Sequence, residues 1–164
     1  MPSQAPSPVD PDVDLHDPVQ RRRPTVDAAV LAAIAAGGVV GSEARYALGL
    51  ALPRVPGAWP TATFLINVSG SLLIGALMVV LTELTSPHRV VRPFLGVGVL
   101  GGWTTFSTAM VEVQQLLRAG RPLVAGGYLA GTAVAALMAA AVGAAAVRLG
   151  SAGWRRWRRA RRNR

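Results

Sequence analysis

Between Gly98 and Thr108, an apolar stretch holds Gly98, Gly101, Gly102, Thr104, Thr105, Ser107 and Thr108, three glycines and four hydroxyls within eleven positions. Glycine weakens a helix, and backbone carbonyls freed from it are tolerated at bilayer depth only where protein or a cavity satisfies them. Carbonyls at interrupted membrane helices are ligands for small ions. The chemistry on offer is therefore ion handling inside a bilayer. Other polar groups lie at comparable depth. Asn67 has Thr63 one helical turn before it, and its amide either bonds a neighbouring helix or lines a pore with its NH₂ donors. Phe106 carries a ring whose positive edge can face an anion. Tyr128, Thr132 and Ala136 fall at spacing four on one helical face, and the first two supply hydroxyls. Glu112 is the acid placed well inside an apolar span; at a cost of roughly 2.5–3.5 kcal/mol it needs a partner or a role. Donors dominate this set and full positive charge stays near span ends, as at Arg45, so the groups suit a small anion better than a cation.

The rest of the composition excludes most alternatives. Of 164 residues, 51% are hydrophobic and 15% charged, too few charges for a soluble domain of this size. Cysteine is absent, which removes disulfides and thiolate metal sites. His16 and His88 lie in polar segments, and no zinc-type spacing, P-loop or dinucleotide fingerprint occurs. No catalytic constellation is legible, so an enzyme is not expected.

Four elements must position the deep polar groups. Residues 1–25, with six prolines and few large apolar side chains, read as a disordered tail. Apolar spans follow at about 26–50, 61–84, 93–117 and 122–149, each long enough to cross about 30 Å of hydrocarbon. Arg21-Arg22-Arg23 before an Ala-rich run imitates a signal peptide, but the apolar pattern continues past the usual length of one. Short polar breaks predict antiparallel hairpins, giving an all-α membrane domain over 26–149 with a break in the third span. Residues 150–164 form a basic tail with Trp154 and Trp157. Small residues recur at spacing four (Gly37/Gly41, Ser71/Gly75, Gly98/Gly102, Gly127/Gly131), which lets helix backbones approach closely and argues for a tight bundle rather than a mechanism.

Arginine supplies all 17 basic residues. Four spans put both termini and the 85–92 loop on one side, with Arg21, Arg22, Arg23, Arg89, Arg92, Arg148, Arg155, Arg156, Arg158, Arg159, Arg161, Arg162 and Arg164. The other side has Arg45, Arg54, Arg118 and Arg121. This bias predicts a multi-pass cell-membrane protein with both termini cytoplasmic. The basic tail is suited to anionic lipid headgroups; a nucleic-acid partner is not expected.

The chain resembles the bacterial fluoride channel family, Fluc or CrcB. The resemblance covers roughly residues 30–148. It rests on Gly37-Gly38-Val39-Val40-Gly41-Ser42-Glu43-Ala44-Arg45-Tyr46, Trp59 to Asn67, the run Gly98 to Thr108, and the small-residue face with Tyr128. It implies an antiparallel, dual-topology-type dimer of four-helix subunits with two pores that export fluoride passively. It implies a structural, untransported sodium ion held by the backbone carbonyls of Gly101 and Thr104. It further implies a fluoride pathway at Asn67, Phe106, Ser107, Tyr128, Thr132 and Thr63, with Arg45 near an aqueous vestibule and Glu112 as a structural polar group. The family's second phenylalanine falls here at Ala109 and its second fourth-helix hydroxyl at Ala136.

An antiparallel homodimer needs one sequence to insert both ways, yet the arginine bias is strong. The expectation is therefore a subunit of fixed orientation paired with an oppositely oriented paralogue, with a homodimer as the alternative. A non-conducting or half-pore partner subunit is the second functional reading. A small proton-coupled multidrug exporter is the third: its one candidate carboxylate in the first span, Glu43, sits beside Arg45, and aromatics are sparse.

Overall fold

The computed structural model describes residues 27–85 and 87–162, with side chains described as far as 152. The expected disordered tail, 1–25, lies outside the described residues. The regular elements among the described residues are all helices, with no strand. We label the helices α1 (Ala28–Ala51), α2 (Thr61–Leu84), α3 (93–103), α4 (Phe106–Arg118) and α5 (Pro122–Arg162). Four stretches are long and apolar enough to cross a membrane: Ala28–Ala51, Thr61–Leu84, Pro93–Arg118 and Pro122–Ala152. Beyond Ala152 the backbone of the basic segment continues α5 to Arg162.

Local chemistry sets the helix ends. Asp27 caps α1, its Oδ1 accepting from the Ala29 N–H at 2.9 Å. Its Oδ2 pairs with Arg89 at 2.7 Å, tying the start of α1 to the loop before α3. The end of α4 is a Schellman turn. Gly120 takes φ +70°, the Gly120 N–H donates to Leu117 O at 3.0 Å, and the Arg121 N–H donates to Leu116 O at 2.9 Å. Pro122 then starts α5 at the first-turn position that has no use for an N–H. Residues Val80–Leu84 and Pro93–Leu100 are wound wider than an α-helix, with i→i+5 bonding such as Thr85 N–H to Val80 O at 3.0 Å.

Packing pairs α1 with α3 and α2 with α5, while α4 lies against α5. Glycine makes both close approaches possible. A Cβ on Gly37 or Gly41 would meet the α3 backbone at Phe94 O or Val99 O, and one on Gly98 or Gly102 would meet the α1 backbone. On the other side Gly75 faces Ala140 and Gly143 faces Leu72, again backbone to backbone. With no hydrophobic drive between helices in lipid, such contacts carry the association. Gly127 and Gly131 instead face the Trp59 ring.

Candidate functional site: a neutral cavity beside the extended backbone of Thr104 and Thr105

Thr104 (φ −76°, ψ 157°) and Thr105 (φ −151°, ψ 122°) have extended backbone between α3 and α4. A continuous helix would send the Thr105 N–H to Gly101 O and the Thr108 N–H to Thr104 O. Here the Thr105 N–H donates to Asn67 Oδ1 at 2.9 Å, and the Thr108 N–H donates to Thr105 Oγ1 at 3.2 Å, so Thr105 caps α4. Asn67 Nδ2 returns a bond to Thr105 O at 2.9 Å. One amide side chain thus satisfies both polar groups of an extended residue, leaving one of its own two N–H bonds free. The glycines of this run remain helical; the extended residues are the two threonines.

The carbonyls of Gly101, Gly102, Trp103 and Thr104 all lose their helical donors at this step, so the geometry does not single out Gly101 and Thr104. Thr104 O accepts from the Arg45 guanidinium at 3.1 Å. A carbonyl has two lone pairs, so this bond leaves acceptor capacity, and neutral oxygens suit a hard cation. A sodium ion at Thr104 O would nonetheless lie close to the Arg45 charge. The pair fits such an ion as a partial ligand set.

A cavity of about 400 Å³ opens beside this segment. Asn67, Gly101, Thr104, Phe106, Tyr128 and Thr132 all line it, as do Ala109 and Ala136. Its wall carries neither a carboxylate nor a basic group. Phe106 begins α4 and is 76% exposed in the single chain. Thr132 Oγ1 is buried and makes no hydrogen bond. Ser107 does not line the cavity; its Oγ lies 3.4 Å from Thr105 Oγ1.

Behind the cavity sits a buried polar triad. Glu112 is 5% exposed, Thr63 4% and Tyr128 0%. Thr63 Oγ1 donates to Glu112 Oε1 at 2.9 Å, and the Tyr128 hydroxyl donates to Oε2 at 2.8 Å. The partner that depth demands for Glu112 is therefore two hydroxyls on α2 and α5. Thr63 sits in this triad rather than on the cavity wall. Glu112 also reaches a second cavity of about 300 Å³, which opens between the 51–60 connection and the start of α2.

Sequence reasoning missed two positioning groups. Trp59 packs edge-on against Phe64 (centroids 5.7 Å apart) and Tyr128 (5.4 Å), bracing the triad. Trp103 Nε1 donates to Ser69 Oγ at 3.0 Å, joining α3 to α2. The capping role of Thr105 was available from its place at the start of a new apolar period.

Residues 32–144 match the family described as CrcB-like protein, Camphor Resistance (CrcB). The chain belongs to the CrcB family. Its relatives carry a consistent name. A protein of Nocardia farcinica named Fluoride-specific ion channel FluC 2 is 48% identical over 135 residues, 82% of this chain and 96% of that protein. Streptomyces avermitilis has two relatives. Its Fluoride-specific ion channel FluC 2 is 47% identical over 124 residues, 75% of this chain and 78% of that protein. Its FluC 3 is 48% identical over 120 residues, 73% of this chain and 59% of that protein. The CrcB match covers the second and third membrane-length stretches whole, most of the first and fourth, and the residues lining the neutral cavity.

Proposed function

We propose that this chain is a subunit of a fluoride-selective channel that lowers cytoplasmic fluoride by passive export. The observation that carries the reading is the neutral, donor-bearing cavity in a chain whose relatives are named fluoride channels. Fluoride is small and strongly hydrated, so it needs donors in place of water. The spare Asn67 N–H, the Thr132 hydroxyl and the Phe106 ring supply partial positive charge without a full cation that would trap the ion. The exporter reading fares worse. It needs a carboxylate facing the transport cavity, whereas Glu112 is held by Thr63 and Tyr128 and Glu43 is exposed on α1.

The same reading extends to assembly. An antiparallel dimer supplies the second wall that the exposed Phe106 lacks in one chain. A sodium ion at the carbonyls of Gly101 and Thr104 would hold two interrupted spans together electrostatically. Both termini are cytoplasmic by arginine bias, which favours pairing with an oppositely oriented paralogue over a homodimer. Two FluC proteins named in one Streptomyces make such pairs available in principle. Ala109 and Ala136 fit a subunit that completes one pore rather than two.

The test is fluoride efflux from liposomes, read with an electrode. Asn67→Ala and Phe106→Ile should each slow efflux at least about tenfold, the order expected for losing one well-placed donor from a water-excluded site. Unchanged efflux in both variants, with normal elution and helix content, contradicts the assignment of this cavity as the pathway.

A further inference from the structure

Trp59 stands on a fixed backbone at the end of the 51–60 connection. Pro60 (φ −75°, ψ 75°) is the centre of an inverse γ-turn, in which the Thr61 N–H donates to Trp59 O at 2.9 Å. From there the indole lies across α5, where Gly127 and Gly131 leave it room. A Cβ on Gly131 would come within 3.3 Å of the ring and one on Gly127 within 3.9 Å. The indole meets Tyr128 edge to face, with the two planes at 90°. Trp59 lines the second cavity but not the neutral one, whereas Tyr128 lines the neutral one. The contact of the indole with the wall of the neutral cavity is therefore the ring of Tyr128.

That ring is fully buried, yet two of its anchors leave its plane undetermined. Helix α5 fixes Cβ, and Glu112 fixes the hydroxyl oxygen at 2.8 Å. Both points lie on the axis about which χ2 turns, and χ2 of a tyrosine is a soft torsion with a broad, two-fold preference. A neighbour pressing on the side of the ring is needed to set its plane, and Trp59 is placed to do so. The plane matters to an ion, because an aromatic edge is positive and a face negative, and because turning the ring changes the width it leaves. From this geometry we infer that Trp59 is a positioning residue that sets the ring plane of Tyr128, and through it the preference of the neutral cavity for fluoride over the larger chloride. The inference rests on the channel reading above. A site discriminates between similar ions only as sharply as its supporting residues hold its walls.

Two measurements on the full chain test it. Tyr46 and Tyr128 are the two tyrosines, so Tyr46→Phe leaves Tyr128 alone to carry tyrosine labelled with carbon-13 at both ε carbons. A ring held in one plane by asymmetric neighbours gives two ε signals in the NMR spectrum, and a freely turning ring gives one averaged signal. Two signals are expected with Trp59 present, one in Trp59→Ala, and two again in Trp59→Phe, which keeps an aromatic ring against Tyr128. A single averaged signal with Trp59 present, or two signals in Trp59→Ala with helix content retained, overturns the positioning role. The second measurement is the ratio of fluoride to chloride efflux from liposomes in the preparation that conducts, alone or with a paralogue. Loss of folded channel lowers both effluxes together and leaves their ratio alone. Trp59→Ala should lower the ratio at least about tenfold, the order by which the fit of a pocket separates close analogues, and Trp59→Phe should restore most of it. An unchanged ratio in Trp59→Ala overturns the role in selectivity. Absence of fluoride efflux from the unsubstituted chain in every preparation is failure of the channel reading instead, and the ε signals still decide whether Trp59 sets the ring.

Discussion

Asn67 shows how one side chain can hold structure and offer chemistry together. Its bonds to the N–H and O of Thr105 hold an extended residue, and its second N–H makes no hydrogen bond within the chain. From the sequence its amide either bonds a neighbouring helix or lines a pore; in the fold it bonds the extended segment between α3 and α4 and stands on the wall of the neutral cavity. The Glu112 triad ties α2, α4 and α5 together through two buried hydrogen bonds. Glu112→Ala leaves the Thr63 and Tyr128 hydroxyls without their acceptor and should destabilise the protein by about 2 kcal/mol in detergent unfolding. Glu112→Gln keeps the shape and one strong acceptor, so it should cost less than half as much. Equal losses in the two variants would show that packing, not hydrogen bonding, sets the value of this residue. Residue types were legible in the sequence: Asn67, Thr132 and Tyr128 all line the cavity as their depth suggested. Ser107 and Thr63 were not separable from them, because which side of a helix faces a cavity depends on how α4 and α2 lie on α5. That orientation comes from tertiary contacts such as Trp59 on Tyr128.

At the scale of the helix, glycine does two jobs that sequence spacing does not distinguish. Composition alone makes the run Gly98 to Gly102 the expected source of released carbonyls. In the fold Gly98 and Gly102 serve the contact with α1, and the extended backbone falls on Thr104 and Thr105. The spacing-four pairs of α1 and α3 were correctly legible as packing. Gly143, the partner face for α2, carries no such spacing signal, because its relation to Gly75 is spatial, not sequential. Gly41→Val should force α1 away from the Val99 and Trp103 backbone and cost about 1–3 kcal/mol, seen as a lower thermal midpoint in detergent. Gly126→Ala, where a Cβ meets nothing within 4 Å, should leave the midpoint unchanged or raise it by up to about 1 kcal/mol equivalent. A Gly126 variant that loses more stability than the Gly41 variant would contradict this account of packing.

For the whole molecule, the number of membrane-length helices and their connections followed from hydropathy alone, since lipid leaves a hydrophobic span few other structures. The proposed pairing rests on two features of the single chain, the asymmetry of arginine and the exposure of Phe106. The central claim is that this chain forms part of a fluoride pore. The most direct test reconstitutes it in liposomes loaded with fluoride and chloride together, alone and with an oppositely oriented paralogue, and follows both anions with selective electrodes. The account predicts fluoride release with chloride retained, strongest in the paired preparation. Retention of fluoride in both preparations, or release of the two anions at similar rates, would contradict it.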